Sequence, residues 1–169
     1  MTYWIDAGVL LQAHKGSLAY TILPQFWNKY LHDHLIAGNI AMPRMAYEEI
    51  TERGYDDWLV AWCKTRKKDG LCRPEPKGVQ ERYGLLSAYV QDEFKTKPQQ
   101  VRAWFDDADG WVIAYAMLTP GDVVVAEEGA KTSRRNAIKI PKLCKQFDVE
   151  QITLATLMRD RLKADLSKG

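Results

Sequence analysis

Long hydrophobic runs are missing from this 169-residue sequence. Its apolar stretches, such as Val9–Leu11 and Val123–Ala126, fall far short of the roughly 20 residues that a membrane-spanning helix needs. The N-terminal segment also lacks the basic and apolar regions of a signal peptide, so no membrane association and a cytoplasmic location are expected. Cysteine is scarce: Cys63, Cys72 and Cys144 are odd in number, widely spaced and form no CxxC pair, which excludes a disulfide framework and predicts free thiols in a reducing compartment. Histidine is scarcer in pairs. Only His32 and His34 lie close together, and i, i+2 positions near a helix end point different ways, which argues for surface histidines over a zinc site. No Gly-rich stretch ends in Gly-Lys-Ser/Thr, which removes P-loop nucleotide chemistry. Nor is there a large excess of one charge: the net value is +2, so the chain as a whole is no polyelectrolyte binder.

What is there fits one folded domain spanning residues 1–169, with 46% hydrophobic residues to build its core. The basic residues are unevenly placed. Lys64–Lys68 reads as a solvated face, whereas Lys131, Arg134 and Arg135 follow the acidic pair Glu127–Glu128 and suit contact with substrate phosphates. Periodicity predicts short strands at Tyr3–Ile5, Ile40–Met42, Val123–Ala126 and around Ile152. Helical spacing is found between them, as in Phe26, Trp27, Tyr30, Leu31, His34 and Leu35, and in Val79, Tyr83, Leu86 and Val90. Further helices are expected over Met45–Arg53, around Trp58–Cys63, over Trp111–Leu118, around Leu143 and after the capping residue Thr153. Gly70 to Gly78, with Pro74 and Pro76, reads as a loop. Short buried strands alternating with helices predict an α/β fold of three layers with a central, mostly parallel sheet flanked by helices.

In such sheets functional groups gather beyond the carboxyl ends of the strands. Asp6 ends the first strand, Glu48 and Glu49 follow the second, and Glu127 and Glu128 end the strand at Val123–Ala126. Asp109 opens the helix leading into that strand, with Asp106 and Asp107 as alternatives. Converging carboxylates repel one another unless a cation neutralises them. Mg²⁺ or Mn²⁺ prefers oxygen ligands, activates water and stabilises charge on a phosphodiester. Each acid also has a plainer role open to it: Asp109 as a helix cap, Glu48 and Glu49 as charges in the first turns of a helix, Glu127–Glu128 as a solvated loop. Asp6, flanked by Trp4, Ile5, Val9 and Leu10, lies close to the core and needs a partner for its charge.

Four segments, taken in order, resemble the motifs of PIN-domain nucleases. Tyr3–Leu11 is similar to their opening strand ending in Asp; Tyr47-Glu48-Glu49-Ile50 resembles their second motif and points to Glu49. Ala108–Ala116 resembles the third, an Asp heading an alanine-rich helix, and Val123–Glu127 sits where the family has a strand ending in an acid. Lys139-Ile140-Pro141, with Cys144 and Phe147, is similar to a subgroup catalogued mainly as a domain of unknown function. The resemblance implies a Rossmann-like PIN fold and an endoribonuclease in which Asp6, Glu49, Asp109 and Glu127 hold Mg²⁺ or Mn²⁺. It also implies an RNA substrate, a toxin's role with a cognate antitoxin protein as partner, and a homodimer. The chain departs from the family pattern at Gly8, where Asn or Ser is frequent, at Val125, where Thr or Ser is frequent, and at Glu127 in place of Asp. Lost hydrogen bonds around the ligands would weaken metal binding, which leaves a catalytically weakened binding or regulatory module as the alternative. An aspartyl-nucleophile hydrolase usually carries a second Asp two residues on, where Gly8 stands, and ranks last.

Overall fold

The computed structural model describes residues 1–53, 57–127 and 138–163. Strand β1 (Tyr3–Ile5) runs directly into helix α1 (Ala7–Lys15). A π-helical stretch, Phe26–Leu31, continues into α2 (His32–Ile36), so the predicted aromatic stripe is one continuous helical unit. Strand β2 (Ile40–Pro43) is followed at once by α3 (Arg44–Glu52), because Pro43 in extended geometry ends the strand and supplies the turn into the helix. Helix α4 (Asp57–Arg66) leads through a short 3₁₀ turn (Lys67–Asp69) to β3 (Cys72–Arg73). Then come α5 (Val79–Glu93), α6 (Pro98–Phe105), α7 (Asp109–Ala116), β4 (Val123–Val125) and α8 (Ile140–Gln146). Strand β5 (Glu150–Ile152) and α9 (Leu154–Thr156), extended by a π-helical turn over Leu157–Arg161, close the described chain.

The strands form one five-stranded sheet in the order β3-β2-β1-β4-β5, and every pairing is parallel. This is the α/β, three-layer Rossmann-like arrangement that the alternation of strands and helices predicts. Parallel strands covered on both faces must be apolar throughout, and β4, with Val123, Val124 and Val125 all buried, meets that requirement. Helix α7 is buried on nearly every side and packs against β1, β2 and β4. An all-apolar helix is stable only in such a place. Its first turn is clamped by stacked aromatic rings, Tyr83 against Trp111 at 4.1 Å and against Trp104 at 5.8 Å. Gly110 makes this possible: a Cβ there would stand 2.6 Å from Trp104 and 2.8 Å from Tyr83.

Helix α6 is not among the elements expected from the sequence, and two further differences bear on the site. The segment from Gly70 to Gly78 contains β3, whose existence depends on pairing with β2, with Met42 opposite Cys72 and Pro43 opposite Arg73. The helix predicted over Trp111–Leu118 starts two residues earlier, at Asp109. Among the described residues no helix is long and apolar enough to cross a membrane.

Candidate active site

The chain runs from β1 to β2 and β3 on one side of the sheet, then returns to β4 and β5 on the other. The order reverses between β1 and β4, and crevices at such a switch point are the usual ligand sites of open α/β sheets. Asp6 and Glu127 follow the two strands that flank it.

Asp6 is fixed through both its backbone and its side chain. Its backbone N–H donates to the Val125 carbonyl at 3.0 Å, which carries the β1–β4 pairing one residue past the strand. Its backbone is extended and its side chain caps α1, Oδ2 accepting from the Gly8 N–H at 3.0 Å. Asp6 therefore has a structural role, which the sequence reading did not assign. Gly8 permits it, since a Cβ at that position would lie 2.8 Å from Asp6 Oδ2 and push the carboxylate off the cap. Asp109 shows the reverse. The residue at the cap position of α7 is Ala108, without a side-chain bond, so Asp109 is the first helical residue and its carboxylate does not cap the helix.

Burial and like charge act together on these acids. The Asp6 carboxyl is raised to about 6, first by desolvation, then by the charge of Glu49, with Asp107 adding to it; the Gly8 and Ala7 N–H groups pull the other way. Asp109 is raised well above the usual carboxylate range by burial, then by Asp6, Asp107 and Glu49. Glu49 is raised by burial, which the Arg53 guanidinium partly offsets, while Asp107 raises it further and the Ala108 N–H donates to it. Three of the four predicted acids thus lie within one another's field, together with Asp107. The Cys144 thiol on α8 is pushed up to about 12, mainly by burial and also by the charge of Asp109, which places an un-ionised sulfur beside the cluster.

The adjacent glutamates separate. Glu48 pairs with Arg44 at 3.5 Å, one turn earlier, while Glu49 pairs with Arg53 at 3.7 Å and joins Asp107 and Asp109. Neighbours on a helix differ by about 100° in direction, and only the packing of α3 decides which of them faces the switch point. Glu127 stands apart from the other three. Its Oε1 accepts from the Leu154 N–H at 3.0 Å, at the start of α9, and it lines a cavity of about 470 Å³ with Val9, Leu18 and Met158. Glu128, Lys131, Arg134 and Arg135 lie outside the described residues. Asp107, expected only as an alternative to Asp109, belongs to the cluster beside it; no periodicity or capping signal distinguishes it from Asp106, and its link to Arg53, at 3.7 Å, is made across the fold.

The donor set is the kind that hard divalent cations take: carboxylate oxygens with more negative charge than Arg53 offsets. As placed, the side chains do not enclose an ion. Among the described residues no three His, Cys, Asp or Glu are grouped so that they could hold a metal.

A family model described as Domain of unknown function (DUF4411) matches residues 3–164. The chain belongs to this family. No curated protein and no solved structure matches the chain. The DUF4411 match spans every element of the sheet, β1 through β5, and all the acids discussed above.

Proposed function

We propose that this DUF4411 chain is a metal-dependent endoribonuclease that hydrolyses RNA phosphodiesters. One observation carries the reading: Asp6, Glu49 and Asp109 come from three remote segments, all three are raised by burial, and beyond that the charge of Glu49 raises Asp6 while Asp6 and Glu49 raise Asp109, beyond the carboxyl end of the central strand. Folding them together opposes stability at neutral pH, and perturbed acids held in that way mark sites kept for function. Mg²⁺ or Mn²⁺, when bound, would neutralise the cluster and lower the pKa of a water near the phosphate. Asp6, Glu49 and Asp109 would hold it, and Asp107 stands close enough to act on all three. Glu127 would join them only by giving up the Leu154 N–H. The PIN-type motifs point the same way, and on that resemblance alone rest the toxin's role, the cognate antitoxin and the homodimer.

The test uses Asp6→Asn. Asparagine caps helices about as well as aspartate, so the change removes the charge and keeps the start of α1. Mn²⁺-dependent cleavage of single-stranded RNA should fall at least roughly 100-fold with no drop in melting temperature. Cleavage by the variant at the parent's rate would refute the assignment.

The engagement of Glu127 favours a second reading, a weakened member of the fold acting as a binding or regulatory module. Calorimetry with Mn²⁺ separates the two: heat of binding in the millimolar range or tighter supports the nuclease, and its absence supports the module.

A further inference from the structure

An acidic cluster repels the phosphodiester that it is meant to act on, so a cation has to hold the substrate there. Arg53, at the C-terminal end of α3, stands at that position. Its Nη1 lies 3.7 Å from Glu49 Oε1 and 3.7 Å from Asp107 Oδ1, and its Nη2 donates to the Asp106 carbonyl at 2.6 Å. The two carboxylates are beyond hydrogen-bond range. They orient the guanidinium by their field, and the carbonyl fixes it against the turn between α6 and α7. The side chain remains 49% exposed, so solvent reaches the group at the edge of the cluster. A planar guanidinium matches a phosphate with two parallel donors, which an ammonium cannot do.

We propose that Arg53 is a substrate-binding residue that takes a non-bridging oxygen pair of the RNA backbone beside Asp6, Glu49 and Asp109. This rests on the nuclease reading for the identity of the substrate. It adds what that reading lacks among the described residues: a positive group next to the acids. It also gives the pairings with Glu49 and Asp107 a function, because they hold the fork in place before RNA arrives. Ordering a long side chain in advance lowers the entropy lost on binding.

The experiment measures the affinity of a short, fluorescently labelled single-stranded RNA by anisotropy over a series of salt concentrations, with Mn²⁺ present. The protein carries Asp6→Asn so that the RNA survives, and Arg53, Arg53→Ala and Arg53→Lys are compared in that background. Arg53→Ala should weaken binding about ten-fold. It should also reduce the slope of log affinity against log salt by about 0.7, the loss of one phosphate contact on a single strand. Arg53→Lys should keep the slope and lose part of the affinity. Unchanged affinity, weaker binding at an unchanged slope in Arg53→Ala, or no RNA binding by the Arg53 parent would each overturn the proposal. If Arg53→Ala does not fold, the affinity and slope of Arg53→Lys decide. Failure of the nuclease reading looks different: the wild-type chain leaves RNA uncut in Mn²⁺ while the Arg53 effects on binding persist.

Discussion

Asp122 and Asp6 stand at opposite ends of the same pair of strands and are surrounded in opposite ways. Asp122 precedes β4, is 7% exposed, and accepts from the Thr2 N–H at 2.7 Å and from the Trp4 indole N–H at 2.9 Å. Its charge is met by donors, and it ties the start of β1 to the start of β4. Asp6, past the end of β1, also caps its helix, yet Glu49 and Asp107 push against its charge. Burial of an acid is thus not what distinguishes the site. What distinguishes it is that the fold surrounds Asp6 with further acids at the end where the strand order reverses, and surrounds Asp122 with donors at the other.

The comparison can be broken most forcefully at its structural member. Asp122→Ala leaves the Trp4 and Thr2 donors without their acceptor and should cost about 2–4 kcal/mol in urea unfolding, with no change in Mn²⁺ binding. An unchanged urea midpoint would erase the contrast.

The second prediction concerns pH. Because the folded state raises the Asp6 carboxyl from 3.8 to about 6, the native chain binds more protons than the unfolded chain across that window. Stability from this group is therefore full at low pH and falls as pH rises from about 4 through about 6, by up to roughly 3 kcal/mol. Asp6→Asn removes the titration, so its stability relative to the parent should rise over the same window, read as the shift in urea midpoint at each pH. A difference that stays flat with pH would mean that neither burial nor the neighbouring acids raise the Asp6 carboxyl. The smallest effect is sought at Gly110. Gly110→Ala forces the Trp104 and Tyr83 rings away from α7 and should destabilise by about 1–2 kcal/mol after the gain in helix propensity. A variant as stable as the parent would show that the aromatic clamp does not fix the start of the helix carrying Asp109.

Much of the frame is legible in the residues. Tyr3–Ile5 is the strand expected, and Val123–Val125 and Ile40–Pro43 differ from expectation by one residue at an end, because β-branched and apolar runs bounded by turns have few other fates. Strand β3 was not legible: two residues, one of them an exposed arginine, carry no period, and the strand is defined by its partner. The capping roles also came out reversed. Asp109 precedes an apolar run and looks like a cap, but Ala108 already has helical backbone angles, so the carboxylate is left to the site. Asp6 looks uncommitted and yet caps α1, since its extended backbone turns the carboxylate onto the Gly8 N–H.

The sequence by itself determined the alternation of short apolar strands and helices, and with it a parallel α/β sheet. It also determined that acids follow those strands, because local propensity and the need to bury apolar faces act over a few residues at a time. Only the tertiary structure decided which acids share a field. Glu49 was taken and Glu48 turned to Arg44, Asp107 was added through Arg53, and Glu127 was drawn to the N–H of Leu154. Electrostatic coupling falls with distance through the folded medium and ignores separation along the chain. It is set by how α7 packs on β1 and β4 and how α3 packs against α7.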